Sequence, residues 1–416
     1  MTLHNADAAG SQPIAKEGLR ADMSSFMVLG DSIPFGYMAG YTKSDGTPLP
    51  EVAPELVPHS WPKLVADQAG STMLLPFTSV TPDNLAVPGY ALGDMTKKYS
   101  ELKAVERLAQ ATDLVFSGYA ANAEYGDMTP VEYLLKKNPS TVAVMIGNND
   151  VLGAAISANI ALKTPVDVFE QKYEDLVKTL ADTENTNRAV VVSTIPDVSS
   201  IPFLVSVQTM PPQTLNYPAV NDDGSGYQMH SDDFITLSGV QKMQAGTQLI
   251  KCPGSSNPAP QCSGDILTIG EVAEISSHTK LFNDAIRKAA GARSNVAVMS
   301  FDRLFSRLRR GTLTAAPVGK EFALLKQKPG IAVDGKRYTT AYGGGLFSKD
   351  GIHPSKLGHG VLANEMIKTL NQNFSANIPL LDLGPVAAGD ELANPVAPAA
   401  ADSRTLEKSR SLFHQR

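Results

Sequence analysis

The chain has 416 residues, 43% of them hydrophobic, with 36 basic and 42 acidic side chains and a formal net charge of -6. That length and apolar content allow a large core. The absence of a basic block gives no electrostatic footprint for nucleic acid or for an anionic membrane surface.

No apolar run is long enough to cross a bilayer. The start of the chain, Met1 to Ala21, is polar and mixed in charge and lacks the apolar stretch of a secretory signal. The expectation is either a cytoplasmic protein or one whose leader has been removed, and residues 1–22 read as a flexible lead-in. Ser25 to Leu29 is a short apolar run ending in Gly30, the pattern of a buried parallel strand. Similar runs recur at Asp113–Phe116, Val142–Ile146, Ala189–Val192 and Val296–Met299. Helical patterns lie between several of them. Phe169, Tyr173, Leu176, Val177 and Leu180 share one face at the helical period. Thr268 with Glu271 three residues on is a capping-box pattern, and the helix it opens continues through Ile275, Phe282 and Ile286. A last helix runs from Pro354 through Leu357, Val361, Met366 and Leu370. Strands alternating with helices predict an α/β fold with a parallel sheet.

Two stretches break that rhythm. Residues 201–266 are rich in Pro, Gly, Asn and Ser without a sustained period, and residues 307–349 form a second irregular stretch with Gly343-Gly344-Gly345 near its end. After Leu383 the chain turns Ala/Pro-rich and then charged, so 384–416 reads as a disordered tail. The expected organisation is one main domain over 23–383, with an inserted lobe around 201–266. The lobe carries apolar and aromatic groups on proline-stiffened chain. Expected to bury little of itself, it should need another surface, and a wall or lid over Ser32 at the strand ends of the sheet is the reading preferred to a surface excursion packed elsewhere.

Four segments carry polar chemistry at strand ends. Gly30-Asp31-Ser32 follows the first strand, where α/β proteins place their ligands; alone it is also an ordinary polar turn. Asn84-Leu85-Ala86-Val87-Pro88-Gly89 follows an expected strand, and Gly89 would let a backbone N–H approach a ligand, though any loop could look so. Gly147-Asn148-Asn149-Asp150 ends the run Val142–Ile146, and an amide there can stabilise an oxyanion or merely make a turn. Asp350-Gly351-Ile352-His353-Pro354 precedes the last helix. Asp350 and His353, three residues apart, can pair locally, which is what a serine's general base requires; a capping aspartate is the plainer reading. Pro354 suits the first position of that helix. There is no G-x-S-x-G nucleophile elbow.

Together, and in this order, the four segments resemble the blocks of the SGNH hydrolases, also called GDSL lipases/esterases. The resemblance covers most of the chain, from about residue 25 to 372, with Ile33 in place of the motif's Leu. It implies a three-layer α/β/α sandwich of flavodoxin-like type around a parallel sheet. It also implies Ser32 as nucleophile, His353 as base and Asp350 as its partner. The Ser32 and Gly89 N–H groups, with the Asn149 side chain, would form the oxyanion hole. Asp197–Phe203 is a weaker candidate for pocket lining. The implied reaction is carboxylic ester hydrolysis through an acyl-enzyme, on a lipid or short-chain ester, with no cofactor. A carbohydrate O-deacetylase of the same mechanism, and a non-catalytic binding module, are the alternatives.

The other histidines are poorer candidates: His4 and His414 lie in tails, His59 at a helix start, His230 and His278 away from any nucleophile pattern. His359, inside the last helix, is expected to pack or cap. Metal, phosphate-loop and dinucleotide fingerprints are absent. Cys252 and Cys262 close a short polar loop; a disulfide is expected there, against two unpaired thiols, and it would favour a secreted or cell-envelope location.

Overall fold

The computed structural model describes residues 19–182, 187–254, 261–311, 313–318, 321–326 and 328–393. In chain order the first half contains β1 (Phe26–Gly30), α1 (Ser32–Phe35), α2 (Trp61–Gln68), α3 (Tyr99–Lys103), α4 (Glu106–Ala121), α5 (Pro130–Lys137), β2 (Thr141–Met145), α6 (Asn149–Ile156), α7 (Val166–Ala181) and β3 (Ala189–Ser193). The inserted lobe follows, with β4 (Leu204–Ser206), β5 (Ala219–Asn221), β6 (Phe234–Thr236), α8 (Leu237–Gln244), β7 (Leu249–Lys251) and β8 (Ile266–Leu267). The remainder is α9 (Ile269–Gly291), β9 (Val296–Met299), α10 (Phe301–Arg310), β10 (Leu313–Val318), β11 (Glu321–Lys326), β12 (Ile331–Val333), β13 (Lys336–Tyr338), α11 (Lys356–Phe374) and α12 (Leu383–Ala388).

The fold is α/β. Four strands pair in the order β1-β2-β3-β9, all parallel. Every residue of β1, β2 and β3 is buried, as continuous apolar runs in a covered parallel sheet require. On the free side of β1 the chain from Asp83 to Val87 continues the ladder: Val28 N–H donates to Asp83, Leu85 N–H to Val28 and Val87 N–H to Gly30. No strand precedes Asn84 as expected; the segment itself pairs with β1, by a single bridge at Val28. Asp113–Phe116, expected as a strand, lies inside α4. Leu108, Thr112, Val115, Phe116 and Tyr119 are its buried side, and a four-residue apolar run cannot by itself separate the helical period from a strand.

The capping box at Thr268 forms, with Glu271 Oε2 accepting the Thr268 N–H at 2.8 Å and Thr268 Oγ1 accepting the Glu271 N–H at 3.2 Å. The expected face of α7 is buried throughout. α11 begins at Lys356 rather than Pro354. Ser355 caps it by accepting the Gly358 N–H, and Pro354 instead bridges to Phe347.

The inserted segment corrects the expectation most. It folds into a three-stranded antiparallel sheet, β4-β6-β8, and a parallel pair, β5-β7. Val207, Ala219, Met229, Ile235, Leu249 and Ile266 form an apolar core of its own. Strands of two or three residues are too short to print a period on the sequence. Cys252 and Cys262 form a disulfide at the base of this lobe. The second stretch expected to be irregular holds two antiparallel hairpins, β10-β11 and β12-β13.

Both ends of the domain reach further than expected. Ala21, placed in the flexible lead-in 1–22, is buried, and its N–H donates to the Phe374 carbonyl at 2.9 Å; residues 1–18 lie outside the described residues. Residues 384–393 of the expected tail also pack. Asp390 is fully buried and accepts from Tyr41 Oη at 2.9 Å and from the Leu357 N–H at 2.8 Å. Residues 394–416 are outside the described set.

Candidate active site

β1 ends where a side chain has no room. A Cβ on Gly30 would lie 2.4 Å from both the Met145 carbonyl oxygen and the Pro34 ring, so only glycine lets the chain turn there against β2. The next residue, Asp31, caps α1 by accepting the Ile33 N–H at 3.1 Å. Ser32 is thereby the first residue of a single helical turn, which Gly36 closes in the left-handed conformation.

His353 arrives from the other end of the chain. Between Phe347 and Pro354 a tight loop is held by Ser348 N–H to His353 and Gly351 N–H to Ser348. Asp350 Oδ1 accepts from Ser348 Oγ at 2.9 Å, from the Ile352 N–H at 2.9 Å and from the His353 N–H at 3.0 Å. Its other oxygen takes His353 Nδ1 at 2.6 Å, and His353 Nε2 lies 2.8 Å from Ser32 Oγ. Asp350 and His353 are fully buried, and Ser32 is 2% exposed. Burial works against a charged carboxylate here. The His353 charge and the hydrogen bonds from His353 and Ile352 outweigh it and hold Asp350 below the usual carboxylate range. The ring of Tyr37 covers the imidazole, with centroids 4.3 Å apart.

The other two segments converge on the same place. Asn84 Nδ2 donates to the Pro34 carbonyl of α1 at 2.8 Å. Asn149, 1% exposed at the start of α6, donates Nδ2 to the Tyr90 carbonyl at 2.7 Å, next to Gly89. An amide nitrogen carries two hydrogens, so this bond aims the group and leaves one donor over. Neither the Ser32 nor the Gly89 N–H donates to any group among the described residues. Asp150 locks the arrangement, accepting the Leu92 N–H at 2.8 Å and Thr164 Oγ1 at 2.8 Å.

Asp350, His353 and Ser32 thus form one hydrogen-bonded relay, and Asn149 is bonded beside Gly89 through the Tyr90 carbonyl. Four contributors were not legible in the sequence: Tyr37, Ser348, Asp150 and Asn148, whose amide donates to Asp31 Oδ2 at 2.7 Å. Each lies within or beside a recognisable segment, but its partner is distant in sequence or its side chain direction is set by packing. His359 is a packing residue: its Nδ1 accepts the Trp61 N–H at 3.3 Å, and burial drives its pKa down to about 3, so it stays neutral. The lobe surface brings His230, Asp232 and Asp233 within 4.8 Å of one another, although the Asp233 carboxylate there already accepts from Tyr227 and the His230 N–H.

The lobe is rooted on the Asp350–His353 loop. Phe203 N–H donates to the Gly351 carbonyl at 3.1 Å, and Leu237 N–H to Phe203 at 2.8 Å. Gly351 has φ +68, and a Cβ on it would lie 2.9 Å from the Leu237 side chain and 3.0 Å from the Phe203 nitrogen. No helix among the described residues is long and apolar enough to cross a membrane. No curated protein matches the chain. A family model described as GDSL-like Lipase/Acylhydrolase matches residues 26–366.

Proposed function

The chain belongs to the GDSL-like lipase/acylhydrolase family and is an ester hydrolase of that general kind, and we propose that it cleaves carboxylic esters through an acyl-enzyme on Ser32. The observation that carries this reading is the continuous relay from Asp350 Oδ2 to His353 Nδ1 at 2.6 Å and from His353 Nε2 to Ser32 Oγ at 2.8 Å.

In this mechanism His353 takes the Ser32 proton as Oγ attacks the acyl carbon, and Asp350 stabilises the imidazolium and holds its tautomer. The tetrahedral oxyanion is received by the Ser32 N–H, the Gly89 N–H and the second hydrogen of Asn149 Nδ2. His353 returns the proton to the leaving alcohol. It then activates a water that releases the acid.

The finer assignments are proposals too. The substrate is a lipid or short-chain acyl ester, the second reading being an acetylated carbohydrate. The helix pairs α2–α11 and α7–α9 each pack together and reach the sheet, which supports the three-layer flavodoxin-like arrangement. The lobe's root on Gly351 supports a role in walling the pocket. The Cys252–Cys262 disulfide supports an oxidising compartment outside the cytoplasm.

The test is a panel of p-nitrophenyl esters of rising chain length beside a panel of acetylated sugars, each run with the wild type and Ser32→Ala. Hydrolysis that Ser32→Ala abolishes while folding is kept supports the reading, and the preferred panel names the substrate class. A Ser32→Ala variant with most of the wild-type rate overturns it.

A further inference from the structure

Asp31 is fully buried beside the nucleophile, yet no step of the proposed reaction uses it. Its two oxygens serve different elements. Oδ1 accepts the Ile33 N–H at 3.1 Å and caps α1, whose first residue is Ser32. Oδ2 accepts the Asn148 side-chain amide at 2.7 Å, and Asn148 is the capping residue of α6, whose first residue is Asn149. One carboxylate therefore joins the two turns that present the nucleophile and the amide donor.

The backbone alone does not reach this far. The β1–β2 ladder runs up to Gly30 opposite Met145, and Asp31 N–H adds a longer bond to the Met145 carbonyl at 3.3 Å. Beyond it, Asp31 and Asn148 extend the link between the two strand ends by side chains. The link is also demanding. Burial raises the Asp31 carboxyl to about 6, although Asn148, Ile33 and the His353 charge all pull it down, while the neighbouring Asp150 pushes it up. A carboxyl raised in the folded state costs stability as the pH climbs from its ordinary 3.8 through about 6. An asparagine would cap α1 about as well without that cost. The amide's own oxygen, Asn148 Oδ1, is buried without a partner. Two unfavourable burials are tolerated for a single bond, as happens where geometry is held at the expense of stability.

We propose that Asp31 and Asn148 are a positioning pair that sets Ser32 against the Asn149 amide, so that the oxyanion hole is assembled before substrate arrives. The proposal rests on the roles given above to Ser32 and Asn149. It concerns the charge pattern of the pair: one carboxylate facing one amide donor, in either order.

The test is an exchange. Asn148→Asp sets a second carboxylate against the first and lowers kcat by about tenfold to a hundredfold through misplacement of the reacting groups, with KM changed by less than about twofold. Adding Asp31→Asn gives back a complementary pair, since the new amide at position 31 donates to the new carboxylate at 148 while its oxygen still accepts the Ile33 N–H. The double variant recovers kcat to within about threefold of the wild type. Asp31→Asn alone does not lower Tm at neutral pH. The rate at which a fluorophosphonate probe labels Ser32 follows the same order as kcat. An Asn148→Asp variant with wild-type kcat, or a double variant no better than Asn148→Asp, overturns the proposal, as does a loss of kcat that merely follows Tm. Ser32→Ala in the same assay separates the two readings. If it is inactive and the exchange fails to restore kcat, the pair's role falls and the ester-hydrolase mechanism stands. If it is active, the mechanism itself falls.

Discussion

His353 and His359 are six residues apart in the chain, and both are fully buried, but their partners differ. His353 bridges Asp350 and Ser32, whereas His359 accepts the Trp61 N–H and has an Nε2 with no partner. His353→Ala is expected to abolish esterase activity near neutral pH, while His359→Ala keeps most of it per folded molecule and loses Tm; ester turnover beside a thermal melt checks both. His359 also sets a pH dependence. Its folded pKa of about 3 lies below the ordinary 6.5, so the unfolded state binds a proton first and stability drains away as the pH falls from 6.5 toward 3. Melting curves across that window should flatten in His359→Gln. In the proposed mechanism Asn149 supplies a donor whose value appears only in the transition state. Asn149→Ala should therefore lower kcat by about 3–4 kcal/mol in barrier terms while KM moves little. An effect confined to KM would place the residue in substrate binding instead.

At the level of elements, the lobe between β3 and α9 is the part of the molecule with most freedom to tune specificity. It has a small core of its own beside the groups it adds to the main core, Leu204, Leu237 and Leu267 among them. Phe203 and Leu237 hold it against Gly351, between Asp350 and His353, and bonds from Gly264 N–H to Ser157 and from Asn159 Nδ2 to Cys262 hold it to the chain after α6. Replacing residues 205–234 with a short Gly/Ser linker keeps Phe203 and Leu237 in place. The expected result is retained activity on the shortest esters and an altered chain-length preference, read from kcat/KM across the ester panel. An unchanged profile would mean that the lobe does not shape the pocket. Gly351→Ala should be the more damaging change. The residue adopts φ +68 and its new methyl group would press on Leu237 and the Phe203 backbone, shifting the loop that carries the base.

For the molecule as a whole, the chain ends are structural. Asp390 accepts from Tyr41 and from the first turn of α11, the helix that follows the Asp350–His353 loop. Truncation after Ala388 removes both bonds and leaves the Tyr41 O–H, which still accepts from the Lys356 N–H, and the Leu357 N–H without an acceptor, at about 1–3 kcal/mol for each orphaned donor. The expected outcome is a clear fall in Tm by calorimetry. Truncation after Ala393 should leave Tm close to that of the full chain.

The sequence by itself made the buried strands of the parallel sheet and the Asp350–His353 pair legible, because both are announced locally. Apolar runs announce buried strands, and Asp350 and His353 need only a three-residue turn to meet. It also determined α7 and the Thr268 capping box, where a long period or a reciprocal cap leaves little ambiguity. Short signals failed. Asp113–Phe116 holds too few residues to show its helical period, and the lobe's strands are two or three residues long. Only the tertiary structure decided what lies across large sequence separations. Tyr37 covers His353, Asp31 reaches Asn148, and Asp390 closes on Tyr41, each in a segment whose composition says turn or tail. The physical reason is the same in each case. A buried polar group is satisfied by whichever donor the fold brings within about 3 Å, and that proximity is a property of packing rather than of neighbouring residues.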